Sequence, residues 1–235
     1  GVLDPQGRPI RERYLAAAEL LAQMHGRTWP RRIEVADGVV HEIPSYDRGA
    51  MSIETELLTD WYVPYSAGRQ LSPAEREAFA QAWGEAFDML EGVEKSLVLR
   101  DFHSPNIIWR ADRTGHDRIG LIDFQDATIG PSAYDVASLA LDARVTIPAE
   151  FEAEVVEAYC AARPGLDRAA FDAAYAIMAA QRNSKILGIF VRLDIRDGKP
   201  AYLKHLPRIR DYVARALGHP ALDRLRAVYR RLGVL

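Results

Sequence analysis

Between residues 97 and 126 the chain reads LVLRDFHSPNIIW, a polar turn, then IGLIDFQD. No other stretch limits the fold as strongly. Three short apolar runs of β type, 97–100, 107–110 and 119–122, interrupt a chain whose spacing is otherwise helical. The linker ADRTGHD between the second and third has the composition of a hairpin loop. The first run delivers Asp101, Asn106 follows five residues later, and the third run delivers Asp123. A tight loop can turn Asp101 and Asn106 toward one pocket, and the returning hairpin carries Asp123 back toward them.

This D-x-x-x-x-N step followed by I-D-F is the layout of a kinase catalytic loop and its metal-binding aspartate. Phosphoryl transfer needs a base near the attacking hydroxyl and oxygen ligands that hold Mg2+ on the phosphates. Asp101 suits the catalytic role, and Asn106 and Asp123 suit the metal. A lone aspartate at a strand end commonly caps a turn, but three such groups between β-type runs argue for chemistry. A rival set exists: the D-x-H spacing can place Asp101 and His103 together, with Asp123 and Asp126 completing a hydrolytic metal centre. Against it, the loop is short, Pro105 bends it, and no second histidine stands at ligand spacing. Arg100 and His103 are therefore read as supports of the loop, and His116 as a solvated residue of the hairpin. His25, His41, His205 and His219 form no cluster visible in sequence.

Composition sets the class. The chain has 235 residues, 49% hydrophobic and 27% charged, as in ordinary globular proteins. Its 33 acidic and 30 basic residues are interspersed, giving a net charge of -3, so no nucleic-acid partner is expected. One cysteine, Cys160, rules out an internal disulfide framework. No apolar run is long enough to span a membrane and no signal-like segment opens the chain. The expectation is a cytoplasmic protein.

Helical spacing begins with Ile10, Tyr14, Ala17, Leu21 and Met24, and Gly26 follows as a stop. IEVADGVVHEI reads as a strand pair around Asp37-Gly38. Residues 52–62 predict a short helix broken at Pro64, and Ser72-Pro73-Ala74-Glu75 a capping box opening a helix that runs to Gly92. Gly130-Pro131 is expected to open a helix through Leu141. Helices are predicted over 148–162, 167–193, 200–217 with a kink at Pro207, and 220–232. The fold class is α+β, mostly helical, with a small β insert carrying the catalytic loop, and no boundary divides residues 1–235 into separate domains.

With LRDFHSPN and then LIDFQDATIGPSAYDVASL, the chain resembles the aminoglycoside phosphotransferase and choline kinase superfamily, which has a protein-kinase-like fold. The resemblance implies ATP and Mg2+ as cofactors, Asp101 as catalytic base, and Asn106 and Asp123 as metal ligands. It also implies that Gly130, Pro131, Tyr134 and Asp135 buttress the loop. ELLTDWYVPYSAGRQLSPAE (56–75) and QRNSKILGIFVRLDIRDGKPAYLKHLPRIRDYV (181–213) are similar to bacterial cell-wall kinases that phosphorylate the anomeric hydroxyl of N-acetylmuramate and N-acetylglucosamine. They are also similar to phosphotransferase domains fused to a tRNA-modification ATPase subunit.

The chain departs from that family at Leu99, where a histidine usually stands, and it has no G-x-G before Asp101. Its only lysine there is Lys95. The expectation is a protein-kinase-like C-lobe with the N-lobe absent, and with apolar surface able to self-associate. The implied acceptor is a small molecule, an amino sugar, with an aminoglycoside or choline-type acceptor and a noncatalytic pseudokinase or scaffold as alternatives. Substrate-binding candidates are Glu56 and Asp60, four apart on one helix, and Arg182, in a helix of apolar neighbours, where it needs a substrate carboxylate or an internal aspartate. Asp126 and Arg192 complete the set.

Overall fold

The computed structural model describes residues 1–235. In chain order the elements are α1 (Arg11–His25), β1 (Arg32–Ala36), β2 (Val39–Glu42), α2 (Arg48–Leu57), α3 (Val63–Ala67) and α4 (Pro73–Asp88). There follow β3 (Lys95–Val98), β4 (Ile107–Trp109), β5 (Ile119–Leu121), β6 (Thr128–Pro131), α5 (Ala133–Ala140), α6 (Ala149–Ala161), α7 (Arg168–Ile195), α8 (Leu206–Ala216) and α9 (Asp223–Arg231). These elements sort into two compact units, each drawing on two stretches of chain: Gly1–Tyr46 with Glu94–Phe171, and Asp47–Val93 with Asp172–Leu235. No helix is long and apolar enough to cross a membrane.

The first unit is built on α1, which buries Tyr14, Ala17, Ala18, Leu21 and Ala22 along one stripe. Gly26 ends the helix, donating its N–H to the Ala22 carbonyl at 3.0 Å. The stripe packs on α5 and α6, with the Tyr14 and Phe151 rings 5.5 Å apart. The predicted strand pair forms as β1 and β2, antiparallel from Arg32 opposite Glu42, and Gly38 takes the left-handed conformation its turn needs (φ 68°). Every residue of both strands is exposed.

Two further antiparallel pairs carry the segment from Asp101 to Asp123. β4 pairs with β5, Ile107 opposite Leu121, as the hairpin composition predicts. β3 pairs with β6, Leu97 opposite Ile129, and here the expectation fails. Residues 128–131 are a strand, and the helix begins only at Ala133. Pairing overrides the local Gly-Pro signal: Ile129 accepts from the Tyr46 N–H and donates to the Pro44 carbonyl, both at 2.8 Å. Gly130 fits because a Cβ there would lie 2.8 Å from Tyr46 Cβ.

In the second unit Asp47 caps α2 by accepting from the Ala50 N–H at 2.9 Å. The expected break at Pro64 does not occur. Instead α2 passes through a π-helical turn, Leu58–Tyr62, into α3, which closes at Gly68. Pro64 has no N–H to give the Asp60 carbonyl, and the wider turn, in which Val63 donates to Leu58, carries the chain past the missing donor.

The capping box of α4 is present as predicted, with Ser72 Oγ accepting from the Glu75 N–H at 3.3 Å and Glu75 accepting from the Ser72 N–H at 2.8 Å. Arg69, hydrogen-bonded to Glu75, holds that carboxyl down at about 2. The helix ends at Asp88 and reaches Gly92 by turns. Its buried face makes an aromatic core with Tyr229 of α9: Phe79 stacks on Tyr229, Trp83 meets that ring edge-on, and Phe87 stacks on Trp83. Each such side chain contributes roughly 1.5–3 kcal/mol by burial. The predicted 200–217 helix divides into a 3-10 segment, Pro200–His205, and α8, with Pro207 in the first turn of α8, where an absent N–H costs nothing.

Candidate active site

The loop between β3 and β4 is held by its backbone. Leu99 and Arg100 donate their N–H groups to Asp135 Oδ2 and Oδ1 at 2.6 and 2.9 Å. Ser104 donates its N–H to Asp142 Oδ2 at 2.8 Å. Both carboxylates are fully buried. Seven residues apart in sequence, they grip the loop before and after Asp101. Arg100 is left-handed (φ 68°), a conformation that costs a non-glycine residue about 1–2 kcal/mol. The Asp135 hydrogen bonds hold it there, and its guanidinium lies 5.6 Å from the centre of the Tyr46 ring.

The resulting loop displays Asp101. Its side chain is 56% exposed, and the nearest titratable partner is His103 Nε2 at 3.8 Å. Arg144 Nη1 lies 3.2 Å from that nitrogen and 3.4 Å from Nδ1 of the same ring. At 3.8 Å the His103 contact is too long for a hydrogen bond, so the Asp101 carboxylate keeps capacity to accept another donor. His103 is buried.

Asn106, also buried, donates its amide to the Asp101 carbonyl at 3.0 Å and to Asp123 Oδ2 at 3.3 Å. Both donations come from nitrogen, which leaves the amide oxygen uncommitted. Asp123 is the second left-handed non-glycine residue (φ 61°), and Gln125 Nε2 donates to its Oδ1 at 2.6 Å. One amide oxygen beside one carboxylate is the sparse protein ligation that Mg2+ accepts when phosphate oxygens and water fill its octahedron. The residues present therefore fit the ion. Three or more His, Cys, Asp or Glu side chains are nowhere gathered as a metal cluster, so the ligand set of the rival hydrolytic centre is not assembled.

Asp126 lies exposed on the turn after Asp123. The other substrate candidates fall in the second unit. Glu56, with Ser52, Thr55, Thr59, Arg76 and Trp83, lines a cavity of about 450 Å3. Asp60 pairs with Arg76 Nη1 at 2.7 Å, and the π turn between Glu56 and Asp60 removes the simple four-apart register. Arg182 is 4% exposed and its Nη1 is buried without a hydrogen-bond partner. Of the two partners the sequence allows, no internal aspartate is in place. Arg192 is half-buried, its Nε likewise unpartnered.

Reading by residue type missed Asp142, Arg144 and the burial of His25. A carboxylate seven residues beyond Asp135, on the same apolar segment, was the only available signal for the first. His116, expected to be solvated, is bonded through Nδ1 to Gln23 Oε1 at 2.9 Å.

A strand-borne loop aspartate facing outward, with an amide and a second carboxylate tied behind it, is the arrangement that the phosphotransferase reading of the sequence expects. Comparison with known proteins agrees: the family model APH, phosphotransferase enzyme family, matches residues 3–171, and the chain belongs to that family. It is 35% identical over 218 residues to the N-acetylmuramate/N-acetylglucosamine kinase of Caulobacter vibrioides, covering 93% of this chain and 60% of that protein. The protein of the same name from Neisseria meningitidis is 36% identical over 179 residues, 74% of this chain and 52% of its own length. The chain thus spans little more than half the length of the curated relatives it matches. Among solved structures, a choline/ethanolamine kinase family protein from Mesorhizobium loti aligns with a TM-score of 0.57 over 98% of this chain and 71% of its own, at 16% identity, which is a likeness of fold.

Proposed function

We propose that the complete protein transfers a phosphoryl group from ATP to a hydroxyl of a small-molecule amino sugar, N-acetylmuramate or N-acetylglucosamine. The 235 residues described here supply the protein-kinase-like C-lobe half of that site. The observation that carries the reading is the exposed Asp101 carboxylate, which accepts no hydrogen bond from His103 at 3.8 Å, beside the joined Asn106 and Asp123. Asp101 accepts the hydrogen bond of the acceptor hydroxyl, points its lone pair at phosphorus and takes the proton as the new bond forms. Asn106 and Asp123 would hold Mg2+, whose chemistry is to neutralise charge on the phosphates. Asp135 and Asp142 keep the loop from moving, which preserves alignment of the base.

On the acceptor side, Glu56, Asp60 and Asp126 are offered as hydrogen-bond acceptors for sugar hydroxyls, and Arg192 as a second cation. Arg182 is assigned to the acceptor carboxylate. A buried guanidinium without an anion destabilises the fold, and the support for this assignment is that the protein supplies no acid of its own. Replacing Arg182 by Met is expected to raise the melting temperature. It should also lower kcat/KM for N-acetylmuramate about ten- to hundredfold, as loss of a charged hydrogen bond predicts, while N-acetylglucosamine turnover changes less than threefold. Equal losses on both sugars would remove Arg182 from carboxylate recognition.

The reading as a whole is tested by offering the complete protein ATP, Mg2+ and, in turn, the two sugars, an aminoglycoside and choline. Sugar-dependent ADP release is expected, with phosphorus NMR showing an anomeric phosphate. Nucleotide binding without acceptor-dependent release for any of the four would overturn the kinase reading in favour of a scaffold.

A further inference from the structure

We propose that His25 is a positioning residue for the catalytic loop, presenting an imidazole N–H from the end of α1 to the carboxylate that grips the loop backbone. The activity arm of this inference rests on the phosphotransferase reading above, whereas its structural arm does not. Asp135 is fully buried, and its two backbone donors, Leu99 and Arg100, leave a carboxylate with further accepting capacity in a dry environment. The loop offers no third donor from position 99, where the side chain is leucine. What faces Asp135 instead is His25 Nε2, 3.8 Å from Oδ2, with both side chains fully buried.

The orientation of that ring is set from its other edge. His25 Nδ1 lies 2.9 Å from the Tyr159 hydroxyl. Burial pushes the Tyr159 phenol up, so it keeps its proton. Arg163 Nη1 donates to the same oxygen at 3.2 Å and is itself paired with Glu94 at 2.5 Å. Guanidinium groups only donate, so the phenol accepts from Arg163, while Ser132 is a further partner of the same hydroxyl. What favours the ring hydrogen on Nε2 is the carboxylate facing it: a bare Nε2 lone pair would meet the lone pairs of Asp135 Oδ2, whereas an N–H there is aimed at them. Nε2 has no other hydrogen-bond partner.

The chain of groups Glu94, Arg163, Tyr159, His25, Asp135 therefore ends on the two amides that precede Asp101. One of these, Arg100, sits in a conformation it would not hold unaided. At 3.8 Å the imidazole acts through its oriented N–H dipole on the carboxylate, and a small closing movement turns the contact into a hydrogen bond.

Three variants of the complete protein test this: His25→Leu, which fills the volume without a donor, His25→Gln, which keeps an N–H, and Tyr159→Phe, which removes the hydroxyl partner of Nδ1. Hydrogen exchange at the Leu99 and Arg100 amides, read by NMR, is expected to quicken in His25→Leu at least tenfold, less in Tyr159→Phe, and to stay near wild type in His25→Gln. In the activity arm, kcat should fall about ten- to hundredfold in His25→Leu, the scale of a small misplacement of a reacting group. KM for both substrates should hold within twofold, and Gln should recover most of the loss.

Unchanged exchange at both amides in His25→Leu would overturn the proposal, as would a kcat loss that Gln does not repair. If His25→Leu does not fold, the exchange rates of the other two variants decide. If the wild-type protein turns over no acceptor, the kinase reading fails while the amide exchange still decides the role of His25.

Discussion

Asp101→Asn in the complete protein is expected to reduce phosphoryl transfer by about two to four orders of magnitude, the usual contribution of a positioned general base. The fold should not notice the change. Asn is isosteric with Asp, the side chain is more than half exposed, and it makes no hydrogen bond that holds the loop. Exposed positions of this kind shift stability by about 0.5 kcal/mol or less, so the melting temperature should match wild type and nucleotide affinity should persist. A steady-state ADP assay beside thermal denaturation separates the outcomes. Loss of activity with retained stability supports Asp101 as the base; retained turnover assigns that role elsewhere and leaves Asp101 an exposed turn residue.

The largest expected effect on stability lies far from that chemistry in sequence, at Gly188. A Cβ there would sit 2.2 Å from the Leu57 carbonyl oxygen and 2.3 Å from its carbon. These are backbone atoms, so no rotamer change relieves the overlap, and α7 and α2 must move apart. Alanine is the better helix former by about 1 kcal/mol, yet the overlap decides the sign. Gly188→Ala should destabilise by about 3 kcal/mol, a fall of about 6–12 °C in melting temperature for a chain of this size. Gly165, where a Cβ would meet nothing within 4 Å, is the control and should tolerate alanine. Equal melting temperatures for the two variants would mean that the helix contact is looser than described.

How far the sequence discloses this molecule depends on whether a feature is encoded nearby or across the chain. Ser72 and Glu75 announce α4 because both ends of a capping box lie within one turn, and Asp37-Gly38 announces a hairpin because its geometry is local. Asp101, Asn106 and Asp123 stand out for a related reason, since their spacing along short strands nearly fixes their juxtaposition. Gly130-Pro131 misleads because a turn signal was outweighed by partners at Tyr46 and Leu97, remote in sequence. Pro64 misleads differently: it signals a missing donor correctly, but a π turn is an answer that periodicity does not anticipate. The His25 network is illegible in principle from one sequence, since its hydrogen bond to Tyr159 joins residues 134 apart. Arg182 lies between these cases. Its burial could be inferred from apolar neighbours, whereas the lack of an internal acid could not.

The two buried carboxylates that flank Asp101 act on N–H groups of the main chain, at Leu99, Arg100 and Ser104. Every residue except proline brings such a group. Much of the loop's rigidity is thus written into α5 and the residues just after it, beside the one amide, Asn106, that the loop itself ties to the Asp101 carbonyl. Packing constrains the buried side chains of Leu99 and Ser104, and the clamp adds no demand of its own on them. In this arrangement the clamp requires carboxylates at 135 and 142 and only a main-chain N–H at each residue it grips.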